Sequence, residues 1–293
     1  MFSCASTEAR ADDDPGPESG VIRRLLLAIA SRLPASLLNF LFKLRWRGRL
    51  PRTLTLAAQR LIRNRDAVIL RGPGVGLRFN PGDSNISYLL GLAEPLVQAA
   101  LGEHLGRGMV FYDVGANVGF LTLIGARLVG ATGRVVAFEP HPASAAALRH
   151  NAALNGFAHV TVVARAVGRA AGTAKLALRE ESTLARLAAP GETGPTVDVE
   201  MVAIDDLVAA GAIRPPALVK IDVEGAELEV IAGMRRTIAA HRPTILCEMH
   251  GTNAAFAAQM AELEYGVTAL ESPLPLAEAP WDVHALAAPR RSA

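Results

Sequence analysis

From Met109 onward, short apolar runs alternate with segments whose apolar residues recur every three or four positions. Met109 to Asp113, Arg134 to Phe138, Val160 to Val167, Ala217 to Asp222 and Thr244 to Glu248 have the length and composition of buried strands. Asn117 to Val129, Pro142 to Asn155, Ala226 to Ala240 and Asn253 to Glu264 have helical spacing. Strands and helices in this order predict a parallel sheet covered by helices on both faces. Ligands of such sheets sit at the carboxyl ends of the strands. Between Gly168 and Ile204 the rhythm changes to alternating pieces, Lys175 to Arg179 and Thr196 to Val202, separated by Pro190, Gly191, Gly194 and Pro195. This predicts an antiparallel β insertion.

Upstream, residues 66–107 begin with a stretch punctuated by Gly72, Pro73, Gly74, Gly76, Pro81 and Gly82, a loop-rich lead-in of hairpin character. Residues 21–65 are apolar with spaced arginines and read as a basic amphipathic helical extension. Arg32 and Pro34 interrupt its longest apolar window, and spanning a bilayer takes about 20 mostly uncharged residues, so a transmembrane helix is not expected. Residues 1–20, with Asp12 to Asp14 and Pro15 to Pro17, are expected to be a disordered tail. An acidic start and a short apolar run do not make an export signal. The sheet domain is expected over 66–270, and residues 271–293 as a strand or tail.

The chain has 293 residues, of which 51% are hydrophobic and 20% charged. That suits one large domain with an appendage, and excludes both wholesale disorder and a polytopic membrane protein. Cys4 and Cys247 are too few for a disulfide framework or a cysteine zinc site, which fits a reducing, cytoplasmic compartment. The net charge is +2, but residues 21–65 hold eleven Lys or Arg and no acid, leaving −9 elsewhere. The extension either lies on an anionic membrane surface at the inner face, with Phe42 and Trp46 near its end, or packs as helices on the acidic body.

Four strand ends carry candidate chemistry. Asp113-Val114-Gly115-Ala116-Asn117-Val118-Gly119 leads from a strand into a helix. Its glycines allow a tight turn and let a ligand approach backbone N–H groups. The spacing is not the Gly-x-Gly-x-x-Gly of dinucleotide sites, and the Asp113 carboxylate would repel a diphosphate while attracting an ammonium or sulfonium. Glu139, at the end of the next strand and about 20 residues on, has the place of an acid that accepts from both ribose hydroxyls. Val219-Lys220-Ile221-Asp222-Val223-Glu224-Gly225-Ala226-Glu227 delivers three carboxylates into a strand-to-helix turn. Cys247-Glu248-Met249-His250 closes another strand with an acid and a histidine, and His250 has a side chain suited to general-base work.

Together with Phe138-Glu139-Pro140, these segments resemble the FkbM-type methyltransferase family, over about Gly108 to Tyr265. The resemblance implies a Rossmann-like α/β class I methyltransferase sheet and S-adenosylmethionine as cofactor. It implies that Asp113, Gly115, Asn117 and Gly119 surround the methionine part, Glu139 holds the ribose, and the adenine lies near Ala166 and Val167. Asp222 would sit beside the sulfonium and the acceptor, and Glu224, Glu227, Glu248 and His250 would border the acceptor. A hydroxyl of a sugar, lipid-linked glycan or secondary metabolite is the acceptor class it implies.

Methylating a hydroxyl calls for alignment and a base, the latter worth roughly 10² to 10⁴-fold. His250 is the first candidate; Asp222 or Glu248 could take the proton or orient His250. A route in which Asp222 and Glu248 hold a divalent cation ranks below a metal-free one, because no tight ligand cluster is visible in the sequence. Nucleic acid is not the expected partner: aromatics are only 5%, and no Asn-Pro-Pro-Tyr-like motif closes the fourth strand. Two other classes remain open on the sequence: a nicotinamide-dependent oxidoreductase on the same sheet, and a non-catalytic membrane-associated scaffold.

Overall fold

The structure, a computed structural model of the chain, describes Ile29, Arg32, Leu33 and residues 63–82, 86–177, 186–188 and 192–290. Two compact units are present, Met1–Leu61 and Ile62–Ala293. In the first, the Leu33 N–H donates to the Ile29 carbonyl at 3.2 Å. The tail expected over 1–20 and nearly all of the basic 21–65 extension lie outside the described residues. Among the described residues no helix is long and apolar enough to cross a membrane.

The second unit opens with an antiparallel pair, β1 (Ala67–Val68) and β2 (Arg78–Phe79), then α1 (Ser87–Leu90) and α2 (Pro95–His104). There follow β3 (Val110–Val114), α3 (Phe120–Val129), β4 (Arg134–Phe138), α4 (Pro142–Leu154) and β5 (Val160–Val163). The insertion supplies β6 (Ala166–Val167), β7 (Gly172–Ala177), β8 (Arg186–Leu187) and β9 (Thr196–Val202), and α5 (Ile204–Ala209) leads out of it. The chain then runs through β10 (Leu218–Ile221), α6 (Glu227–Ala232), α7 (Arg235–His241), β11 (Thr244–Glu248), α8 (Asn253–Glu262), β12 (Tyr265–Ala269) and β13 (His284–Pro289).

The central sheet has the order β12-β13-β11-β10-β3-β4-β5. Its strands are parallel except β13, which is antiparallel to both neighbours. Alternate side chains of the strands feed two cores. Tyr112, Val114, Val219, Ile221, Ile245 and Cys247 pack with residues of α5 to α8. Phe111, Val135, Leu218 and Leu246 pack with residues of α2, α3 and α4. This is the α/β, Rossmann-like sheet with helices on both faces that the alternation predicts. From β3 the chain runs to β4 on one side and returns to β10 on the other, so the order reverses between β3 and β10, where ligands of such sheets bind.

Three elements differ from the sequence expectation. The run Val160 to Val167 is divided: β5 stays in the central sheet, and β6 joins a separate four-stranded sheet of order β6-β9-β7-β8. The helix expected over Ala226 to Ala240 breaks at Gly233, where a Cβ would lie 1.9 Å from the Gly168 carbonyl oxygen. The Asp205 carboxylate then takes the N–H groups of Arg236 and Thr237 at 2.9 and 2.7 Å, satisfying the fresh helix start. Residues 284–289 form β13 inside the sheet, so the sheet domain extends past residue 270.

Candidate active site

On β3, β10 and β11 the face toward α3 is apolar at Phe111, Leu218 and Leu246 and becomes charged two residues on, at Asp113, Lys220 and Glu248. The opposite face stays apolar through Val114, Ile221 and Cys247. Lys220 Nζ, buried, donates to Asp222 Oδ2 at 3.1 Å and lies 4.0 Å from Asp113 Oδ1. Burial works against its charge, but Asp222, Asp113, Glu94 and Glu248 together hold the ammonium above its ordinary range. Asp113 is 1% exposed; its Oδ2 accepts from Thr122 Oγ1 at 2.6 Å, and its Oδ1 is buried without a hydrogen-bond partner. Burial raises this carboxyl, with Lys220 and Thr122 pulling the other way.

The glycine loop is packed from within. Gly115 has φ +76°, and a Cβ there would stand 1.7 Å from the Asp222 carbonyl oxygen, so the loop lies directly on the end of β10. At Gly119, φ is +90° and a Cβ would meet Leu148 Cγ at 2.8 Å. The N–H groups of Gly115 and Ala116 both donate to the Phe138 carbonyl, that of Asn117 to Glu139 Oε2 at 2.7 Å, and that of Gly119 to the Ala116 carbonyl. The expectation that these glycines expose N–H groups to a ligand is therefore corrected: those four donors are taken, and the glycines serve close packing. Glu139, 7% exposed, also accepts the His141 N–H on Oε1 at 2.8 Å. Burial pushes its carboxyl up to about 7, against the two N–H bonds.

Beside this loop opens a crevice at the carboxyl ends of β3, β4 and β10. Of the sequence-predicted residues it brings together Gly115, Asn117, Glu139, Ala166, Val167, Asp222 and Glu224. The far wall is Leu176 of β7 and Arg186 and Leu187 of β8, so the insertion closes one side. Asp113, Gly119, Glu227, Glu248 and His250 are not in the wall.

His250 and the remaining acids form a second group at the ends of β10 and β11. Its Nδ1 pairs with Glu227 Oε1 at 2.8 Å, and its Nε2 lies 3.6 Å from Glu224 and 3.8 Å from Glu248 Oε1. Burial opposes the imidazolium, yet the Glu227 bond and the charges of Asp222 and Glu224 raise it to about 9. Glu227, expected at the acceptor, is 0% exposed; Oε1 also accepts the Gly225 N–H and Oε2 accepts from Thr252. It stands behind His250 and orients the ring, the part the sequence reading offered to Asp222 or Glu248. Two groups of three, Asp222–Glu224–His250 and Glu94–Glu248–His284, bring ligand-type atoms within 4.8 Å of one another. In each, a histidine stands among carboxylates that favour its protonated form.

A family model for the methyltransferase FkbM domain matches residues 113–267. The chain belongs to the FkbM methyltransferase family. Among curated FkbM-related proteins, the 31-O-demethyl-FK506 methyltransferase FkbM of Streptomyces tacrolimicus is 30% identical over 220 residues, 64% of this chain and 84% of that protein. The hexuronic acid methyltransferase AglP of Haloferax volcanii is 30% identical over 129 residues, 44% of this chain and 51% of that one. A crystal structure of a methyltransferase FkbM from Methylobacillus flagellatus KT has a TM-score of 0.43 at 20% identity, covering 61% of this chain and 43% of that one. Membership of a methyltransferase family sets the oxidoreductase reading aside.

Sequence reasoning quoted Lys220 without giving it a part, and did not find Glu94, Glu271 or His284. A single lysine inside an otherwise apolar strand is itself a signal, because an ammonium is rarely buried unless paired. Burial raises Glu94 to about 7, with Lys220 opposing. His284 reaches the site only because β13 pairs with β11 in a register that sets it opposite Glu248, which no local pattern encodes.

Proposed function

We propose that this methyltransferase takes its methyl group from S-adenosylmethionine and places it on a hydroxyl of a sugar, glycolipid or secondary metabolite. The crevice carries the reading. Asp222 and Glu224 set acids in its wall beside Glu139, with Arg165 and Arg186 as its cations, Ala166, Val167, Leu176 and Leu187 make another part apolar, and the N–H groups of Gly115, Ala116, Asn117 and Gly119 are already taken. Those features suit a cationic sulfur nucleoside. When bound, S-adenosylmethionine supplies a methyl group on a good leaving group.

Gly115 and Asn117 border the methionine part, with Asp113 and Gly119 holding the loop from behind. Glu139 has lone pairs left for the ribose after its two N–H bonds. Ala166 and Val167 flank the adenine. Asp222, fixed by Lys220, stands beside the sulfonium and the acceptor. Glu224, Glu248 and His250 face the acceptor, and His250 takes the proton once its own has left. Because Glu227, Asp222 and Glu224 hold that proton to about pH 9, turnover rises with pH toward that value. One relative is named for an O-methylation and the other for a hexuronic acid, which supports hydroxyl and sugar acceptors.

The test is transfer of labelled methyl groups from S-adenosylmethionine into a panel of hexuronic acids, glycans and small alcohols, with calorimetry on S-adenosylhomocysteine and NADH. The protein is expected to bind S-adenosylhomocysteine and not NADH. Asp113→Ala and Glu139→Ala are expected to weaken that binding by about 10 to 100-fold or more. His250→Ala is expected to spare binding and slow turnover by roughly 10² to 10⁴-fold. Unchanged affinity in the first two variants would reject the site assignment.

A further inference from the structure

We propose that Glu227, His250, Glu248, His284 and Glu271 form a relay that carries the acceptor's proton from the active site to the protein surface. The proposal rests on the reading of the site as one that methylates a hydroxyl. Carboxylates and imidazoles alternate along it. Glu227 Oε1 pairs with His250 Nδ1 at 2.8 Å, and His250 Nε2 lies 3.8 Å from Glu248 Oε1. The other oxygen of Glu248 lies 3.5 Å from His284 Nε2, and His284 Nδ1 pairs with Glu271 Oε1 at 2.6 Å. The two middle gaps are ion-pair distances, longer than hydrogen bonds, and transfer across them requires the side chains to rotate together.

The ends differ in exposure. Glu227 is sealed, whereas the Glu271 side chain is 35% exposed. Both imidazoles between them are largely covered, and His284 Nε2 is buried without a hydrogen-bond partner, facing Glu248. Glu271 also accepts the His284 backbone N–H at 2.8 Å, which fixes the outer pair. Other charged groups surround the path: Asp222 and Glu224 near His250, Glu94 beside Glu248 and His284, and Lys220 near Glu248. The carboxylates hold both imidazoles protonated to about pH 9, so the relay runs once each ring has given up its Nε2 proton.

The proton balance closes. The acceptor oxygen forms its bond to the methyl carbon, the sulfur–carbon pair returns to sulfur, and the O–H proton goes to Nε2 of a neutral His250. That site passes its proton to Glu248 Oε1, rotation of the Glu248 carboxyl presents it to Nε2 of a His284 that carries its own proton on Nδ1, His284 Nδ1 releases one to Glu271 and water, and a flip of the His284 ring restores its tautomer. One proton enters and one leaves, while Glu227 keeps the Nδ1–H of His250 in place. His250 is thus reset while acceptor and cofactor cover the crevice. Glu271 and His284 are positioning residues in this scheme and touch neither reactant.

The test is nitrogen-15 NMR of the imidazoles in the full chain, free and with S-adenosylhomocysteine, following solvent exchange of the His250 ring N–H. Glu271→Gln and His284→Gln are each expected to slow that exchange about tenfold, the worth of one charge-assisted bond. Glu271→Asp, which keeps the carboxylate, is expected to restore it. Unaltered His250 exchange in Glu271→Gln would overturn the relay, and this half-exposed position decides the matter if His284→Gln does not fold. A wild-type chain that fails to bind S-adenosylhomocysteine would overturn the cofactor reading instead, leaving the exchange on the free protein still to decide the relay.

Discussion

The carboxyl edge of the sheet has two halves that hold their acids by different means. On the β3–β4 side, Glu139 is held by two backbone N–H groups, and Asp113 by a threonine and a lysine. On the β11–β13 side, Glu227, Glu248 and Glu271 are paired with His250 and His284, Glu227 also taking the Gly225 N–H and the Thr252 hydroxyl. Backbone amides and a lysine do not titrate near neutrality; imidazoles do. The first half is therefore suited to presenting a fixed shape and charge, and the second to handling protons.

The largest effect is expected where the fixed half depends on one cation. Lys220→Met leaves Asp113 and Asp222 without their partner, and urea denaturation should show a loss of about 3 to 5 kcal/mol. A loss below about 1 kcal/mol would mean that these acids simply take up protons, and the contrast between halves would fail.

Next comes a glycine from each half. Gly115→Ala meets both a left-handed φ and the Asp222 carbonyl, and should cost roughly 3 kcal/mol or more. Gly251→Ala has φ +83° but nothing within 4 Å, so only the backbone strain, about 1 to 2 kcal/mol, is expected. Equal losses would show that the loop does not lie on β10 as described.

A smaller effect follows from pH, with the same sign in both halves but different windows. Glu139 and Glu94 rise from an ordinary 4.5 to about 7 in the folded chain. The folded carboxyls keep protons that the unfolded chain has lost, so stability falls as pH climbs through that window. His250 and His284 rise from 6.5 to about 9, and their contribution is complete below 6.5 and lost as pH rises through 9. Calorimetry should show Tm falling in two stages, the upper one shrinking in His284→Gln. A Tm flat from pH 6.5 to 9 would count against the imidazolium half. The smallest effect is expected at the crevice rim: Arg165 and Glu200 pair at 2.7 Å on the surface, and Glu200→Gln should leave Tm unchanged within error.

Much of this arrangement is legible in the sequence because strand ends in a doubly wound sheet converge by topology. Glu139, Asp222 and Glu224 each close or follow an apolar run and reach one crevice without any long-range information beyond strand order. Pattern is a poorer guide to direction. Glu227 reads like its neighbour Glu224, yet the turn at Gly225 sends one into the wall of the crevice and the other beneath His250. The break at Gly233 comes from a carbonyl more than 60 residues away, at Gly168, so helical spacing alone runs straight through it. His284 and Glu271 were beyond reach, since their part depends on which strand β13 pairs with.

That pairing governs how the sheet is assembled. Tyr265–Ala269 hydrogen-bonds to a single partner, and that partner follows it in the chain. During synthesis this edge therefore waits, unladdered, until residues 284–289 have left the ribosome and wedged themselves beside Thr244–Glu248. Until that moment Glu248 also lacks the His284 imidazole, so one docking event completes both the sheet and the partners of this acid.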